Sequence, residues 1–133
     1  MGVADRRQPD AIGRWHDIAR SRDHSLLDAL LAEDVVFLSP VVHTPQRGKA
    51  ITTKYLIAAV AVLGGPEFRY VEEWVGPNSA ALEFMTTIDG IEVNGVDIIG
   101  WNGEGRIDRF KVMVRPLKAI EAVRQRMAAA LAG

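Results

Sequence analysis

The sequence predicts an α+β domain in which a curved antiparallel sheet packs its concave face on helices drawn mainly from the N-terminal half. Three observations carry this expectation. Apolar residues recur at helical spacing up to Leu63, alternation of β-branched and aromatic residues takes over from Phe68, and a helical stripe returns after Pro116. With 133 residues, 48% of them hydrophobic and 25% charged, the chain has the size and composition of a single soluble domain with a substantial core.

The elements follow in order. From Pro9 to Ala19, Ile12, Trp15, Ile18 and Ala19 fall on one helical face, and Pro9 suits a first turn. A second helix is expected from about Asp23, which can cap it, to Leu31, with Leu26, Leu27, Leu30 and Leu31 as its stripe. Asp34 to Ser39 is β-branched and aromatic and stops at Pro40, which reads as a strand. The loop VVHTPQRG leads to a third helix from about Lys49 to Leu63, ended by Gly64, Gly65 and Pro66. Four strands then form a meander: Phe68 to Val75, Ala80 to Ile88, Glu92 to Trp101 and Arg106 to Val114, separated by Gly-Pro-Asn, Asp-Gly and Asn-Gly-Glu-Gly. Leu117, Ile120, Val123, Met127, Ala130 and Leu131 trace a closing amphipathic helix.

Composition narrows the function classes. A formal net charge of −1, with Lys and Arg scattered along the chain, gives no electrostatic case for nucleic acid or an anionic membrane. No apolar run reaches membrane-spanning length, and MGVADRRQPD lacks the apolar core of a signal peptide. Zero cysteines exclude disulfides and thiol chemistry, so the cytoplasm is the expected location. Neither His-Glu-x-x-His nor a calcium loop occurs, and the glycines match no phosphate or dinucleotide fingerprint, so neither metal nor cofactor is expected.

One acid stands out. Asp97 lies within GVDIIGW, and alternation sets it on a face with Val93, Gly95, Ile99 and Trp101. A carboxylate in such company needs a polar partner, a solvated cavity, or a pKa shifted toward proton chemistry. It can act as general acid or base, orient a polar ligand group, or be held by a neighbouring donor within the protein.

The element order, together with LLAEDVVFLSP, the helix opened by Gly48, and VDIIGWNGEGRI followed by a strand ending in Arg115 and Pro116, resembles the NTF2-like superfamily. That superfamily includes the ketosteroid isomerases and SnoaL-like polyketide cyclases. The resemblance covers nearly the whole chain and implies a cone-shaped fold, the sheet wrapped around N-terminal helices and closed by the C-terminal helix. Ketosteroid isomerases use a first-helix tyrosine, an aspartate base before a proline and a protonated aspartate on a late strand. Here those positions fall on Trp15, Ser39 and Asp97, so one of the three groups is retained. Serine cannot act as the carboxylate base and indole cannot form a stabilised phenolate, which argues against steroid isomerisation.

Further candidates surround this acid. His43, in the loop after the first strand, can shuttle a proton, bind a ligand, or simply bond to local backbone. His16 and His24 are weaker. A lined cavity would draw on Trp15, Ser39, Tyr55, Trp74, Phe84 and Trp101, on Ile99 as a face-mate of Asp97, on Phe110 and Val112 by alternation along the last strand, and on Thr86, which the resemblance turns inward with Phe84. The outward set Glu83, Met85, Thr87, Lys111 and Met113 mixes apolar and charged residues, and the resemblance implies a homodimer through this outer sheet face.

Two functions are consistent with these residues. The first is a SnoaL-like protein that holds a small hydrophobic molecule between sheet and helices, with Asp97 as polar contact or proton carrier. The second is a noncatalytic dimerisation or protein-interaction module whose interior is filled by side chains. A cavity of roughly several hundred Å³ is expected of the first, and an Asp97 bonded only to protein groups in a filled interior of the second.

Overall fold

A computed structural model describes residues 10–132; the expected start at Pro9 lies outside the described residues. Helix α1 (Asp10–Ser21) buries Ala11, Ile12, Trp15 and Ile18 along one stripe. It ends at Arg22, whose φ of 61° and backbone N–H donation to Ile18 O at 2.7 Å form a left-handed cap.

The expected second helix is shorter than its apolar spacing suggested. Asp23 caps a single 3₁₀ turn (His24–Leu26), one α-helical turn follows as α2 (Leu27–Leu30), and Leu31 already begins strand β1 (Leu31–Leu38). Leu27, Leu30 and Leu31 are buried while Leu26 is exposed, a pattern that a turn leading into a strand satisfies as well as a helix does. The loop VVHTPQRG contains a second strand, β2 (Gln46–Arg47), paired antiparallel to β1. Gly48, at φ 104°, then opens α3 (Lys49–Leu63).

The meander forms as expected, as β3 (Arg69–Val75), β4 (Ser79–Ile88), β5 (Ile91–Trp101) and β6 (Ile107–Arg115). Asp89 and Gly90, both at positive φ, make the two-residue hairpin turn between β4 and β5. After a cis Arg115–Pro116 bond, α4 (Leu117–Ala132) packs Ala119, Ala122, Val123 and Met127 inward, against α3 and β5.

The sheet is larger than the four-strand meander and is mixed: its order is β2-β1-β6-β5-β4-β3, with β1 parallel to β6. It is curved and unclosed. Its inner face carries Val35, Phe37, Leu82, Phe84, Val93, Ile99 and Phe110 against α1, α3 and α4. None of the helices among the described residues is long and apolar enough to cross a membrane.

A bulge in β3 decides which side chains reach that interior. Tyr70 pairs with Phe84, but Glu72 pairs with Glu83, so Val71 is an extra residue and the alternation slips by one. Phe68 and Tyr70 face inward. Beyond the bulge Glu73 takes the inward register opposite Leu82, and Trp74 turns to the outer face, where it is 55% exposed. Trp74 is therefore not a cavity residue, because strict alternation from Tyr70 does not survive the bulge.

Candidate functional site

Asp97 points inward from the middle of β5, between Leu82 of β4 and Val112 of β6, and is 5% exposed. Its Oδ2 accepts a hydrogen bond from the Tyr70 hydroxyl at 2.5 Å, and the Tyr70 oxygen in turn accepts from Trp15 Nε1 at 2.9 Å. The Oδ1 atom has no hydrogen-bond partner among the described residues. Burial pushes the Asp97 carboxyl up to about 7, since a charge in apolar surroundings is poorly solvated, and the Tyr70 bond offsets only part of that rise. Burial, and then the adjacent Asp97 charge, hold the Tyr70 phenol well above its usual range. Tyr70 thus keeps its proton at neutral pH.

Packing fixes the geometry of this relay. Gly95, two residues before Asp97, leaves room for Phe84: a Cβ there would meet Phe84 Cζ at 2.3 Å and Met113 O at 2.7 Å. Phe84 stacks on Phe68 at 5.3 Å and meets the Tyr70 ring edge-on at 6.4 Å. Trp15 lies edge-on to Phe110 at 4.8 Å, which aims its N–H across the sheet. His16, on the next residue of α1, meets Tyr70 edge-on at 5.1 Å, and its Nε2 stands 2.9 Å from Glu73 Oε2.

Two adjoining spaces open beside the relay. An internal cavity of about 30 Å³, room for about one water molecule, is walled by Trp15, Leu56, Val60, Phe110 and Val112, with Tyr70 and Asp97 as its polar groups. An open cleft of about 350 Å³ lies between the ends of α1 and α3 and the start of β3. Ala19, Gly64, Phe68 and Tyr70 belong to both walls.

Of the residues expected from sequence, Asp97, Trp15, Phe110 and Val112 line the internal cavity. The others lie elsewhere. Phe84 and Ile99 are buried beneath the site, and Thr86 is buried with its hydroxyl donating to Leu63 O at 3.2 Å. Tyr55 packs its ring 5.5 Å from Phe37, and Trp101 rests half-buried at the end of β5. Ser39 Oγ accepts from Val41 N at 3.1 Å in the turn after β1, and His43 is exposed in the following loop. Tyr70 was missed. Its signal was present in FRYVEEWV, where an aromatic residue shares a face with Phe68, but nothing local connected it to a carboxylate 27 residues away.

The arrangement offers one carboxyl able to give or take a proton near neutrality and one phenol able to donate a hydrogen bond. No group of three or more His, Asp or Glu side chains among the described residues is placed to hold a metal ion. A curved, unclosed mixed sheet packed on helices is the architecture of the NTF2-like fold. The profile of the SnoaL-like domain matches residues 12–110, and the chain belongs to that family.

Solved structures agree with this assignment. A steroid delta-isomerase from Pseudomonas aeruginosa is 33% identical over 92% of this chain and 89% of its own, with a TM-score of 0.87. An uncharacterized protein from Silicibacter pomeroyi with a cystatin-like fold is 34% identical over 92% of this chain and 85% of its own, with a TM-score of 0.84. An NTF2-like protein of unknown function from Mesorhizobium loti, 22% identical over 80% and 89%, has a TM-score of 0.69 and shares the fold. No significant match was found among curated protein sequences.

Proposed function

We propose that the protein binds a small, largely apolar molecule in the cleft beside Tyr70, places a polar oxygen of that molecule at the Tyr70–Asp97 pair, and exchanges a proton with it through Asp97. The reaction class is cofactor-independent isomerisation or cyclisation. The observation that carries this reading is the relay from Trp15 through Tyr70 to a buried carboxyl that titrates near 7 at the edge of a cavity. A filled core gains nothing from such a carboxyl, since burying a charge without full pairing is costly. The internal cavity fits one polar atom and the outer cleft falls in the size range of ligand sites.

The similarity to a steroid delta-isomerase supports the reaction class, and Tyr70 supplies a phenol that the first helix lacks. Ser39, where that chemistry wants a carboxylate, bonds to Val41, so the site has one acid–base group where steroid isomerisation uses two acids in separate roles. The test is a thermal-shift screen of lactones, polycyclic ketones and hydrophobic acids, followed by turnover assays with Asp97→Asn. Turnover should vanish while most of the affinity persists. A screen without hits, or unchanged turnover in the variant, sinks the reading.

A second reading has its own support. The inner pocket holds only about 30 Å³ and Asp97 bonds only to Tyr70 among the described residues, which is what a noncatalytic module would show. The outer sheet face exposes Trp74 and Met113 beside a groove of about 350 Å³, a surface suited to self-pairing. On this reading the protein is a homodimer through that face; dimerisation is compatible with ligand binding as well.

A further inference from the structure

We infer that the molecule held in the cleft is an amphipathic carboxylic acid, its anionic head bound at the mouth by Arg22 and Arg69 while its apolar body lies on Phe68 and reaches toward Tyr70. This rests on the binding reading above and names the ligand class that the same site would take.

The charges around the cleft point this way. Three arginines, Arg20, Arg22 and Arg69, line it together with His16. Arg20 pairs with Asp17, and His16 meets Glu73 on the flank. Arg22 and Arg69 form no salt bridge among the described residues; Arg69 donates only to the backbone oxygen of Glu67, at 3.2 Å. Two guanidinium groups with no carboxylate partner among the described residues thus border one cleft, in which Ala19, Phe68 and the Tyr70 ring form an apolar wall. With Asp17 and Glu73 close by, that excess suits a singly charged head better than a phosphate monoester.

The backbone holds Arg22 in place. It occupies the left-handed position that caps α1, where glycine is the usual residue because a side chain there costs about 1 kcal/mol. The guanidinium reaches Gly64 at the end of α3: a Cβ on Gly64 would lie 3.4 Å from Arg22 Nη2 and 2.4 Å from Val60 O. The cation thus rests against the C-terminal end of α3, where the helix dipole favours positive charge. The head therefore stands at the rim and the apolar wall leads inward to Tyr70.

Calorimetric titration with 2-naphthoate and its uncharged analogue 2-naphthylmethanol tests this. At low salt the acid should bind about three- to tenfold tighter than the alcohol, the range expected of two partly exposed ion pairs, and 1 M NaCl should shrink the difference. The double variant Arg22→Gln/Arg69→Gln should lose the preference and bind the alcohol as before, while Arg22→Lys/Arg69→Lys keeps most of it. Arg124→Gln, on α4, should change nothing. Equal affinity for acid and alcohol, no binding of naphthoate, a preference surviving the double Gln variant, or a preference lost with Arg124→Gln overturns the inference. If Asp97→Asn and Tyr70→Phe leave both affinities and a later-identified turnover untouched while the arginine dependence holds, the anion site stands and the proton-transfer reading falls.

Discussion

The Tyr70 hydroxyl donates to Asp97 Oδ2 across 2.5 Å, although the two residues stand on strands that are not neighbours, with β4 between them. The phenol spans that strand because Phe84, seated over Gly95, supports its ring, and the pairing of Tyr70 with Phe84 sets Tyr70 in the inward register. The contact stabilises the charged form of Asp97 against the burial that disfavours it. The proton exchange proposed for Asp97 near neutral pH depends on that opposition.

Tyr70→Phe removes the one interaction that lowers the Asp97 pKa, so the carboxyl should titrate higher than about 7, by about 1 to 2 pH units for a hydrogen bond to a charged group. A ¹³C NMR titration of the Asp97 carboxyl carbon measures this. Trp15→Phe, which takes away the donor behind Tyr70, should move it less in the same direction. A downward shift in either variant would mean that the bond does not favour the carboxylate.

Stability should fall as pH rises from about 4 to about 7. The folded-state pKa of Asp97 is raised above the ordinary 3.8, so between those values the native protein holds a proton that the unfolded chain has lost. The contribution is complete below the unfolded pKa and disappears through the folded one, with a slope of up to about 1.4 kcal/mol per pH unit. Asp23, Asp89 and Glu121 have lowered pKa values and act in the opposite sense, at acid pH. Urea denaturation across pH 4 to 8 should show the decline in the wild type and a flatter profile in Asp97→Asn.

Gly95→Ala should destabilise the fold by about 1–3 kcal/mol, the usual cost of overpacking a filled interior. Its new Cβ meets a backbone oxygen as well as the Phe84 ring, so a rotamer change alone cannot relieve it. Because Phe84 supports Tyr70, the same variant should also shift the Asp97 titration. Wild-type melting behaviour would show that the ring has room to move.

The proposed dimer has a direct readout. Sedimentation equilibrium should give a mass near twice the 14.6 kDa of one chain, and Trp74→Lys/Met113→Lys should return it to the monomer value by placing charges on the exposed apolar patch. A monomeric wild type removes the outer face as a self-pairing surface.

Much of this protein was legible in its residues. Helical spacing located α1, α3 and α4, turn chemistry located the meander, and alternation on β5 and β6 turned Asp97, Phe110 and Val112 inward. Local pattern misjudged Asp23 to Leu31, where four leucines fit a helix but serve a short turn and the start of β1. Strand β2 was invisible, since two residues carry no period, and the parallel pairing of β1 with β6 joins segments about 70 residues apart.

The sequence by itself determined the fold class, the element order and the inward carboxylate, because each follows from periodicities that a few neighbouring residues express. Only the tertiary structure decided what that carboxylate meets. A bulge of one residue exchanged the faces of Glu73 and Trp74, the order of the strands brought Tyr70 across β4, and the cap on α1 carried Arg22 to Gly64. These are consequences of register and of close approach between distant segments; a single-residue slip in β3 exchanges the faces of its side chains without altering any local pattern.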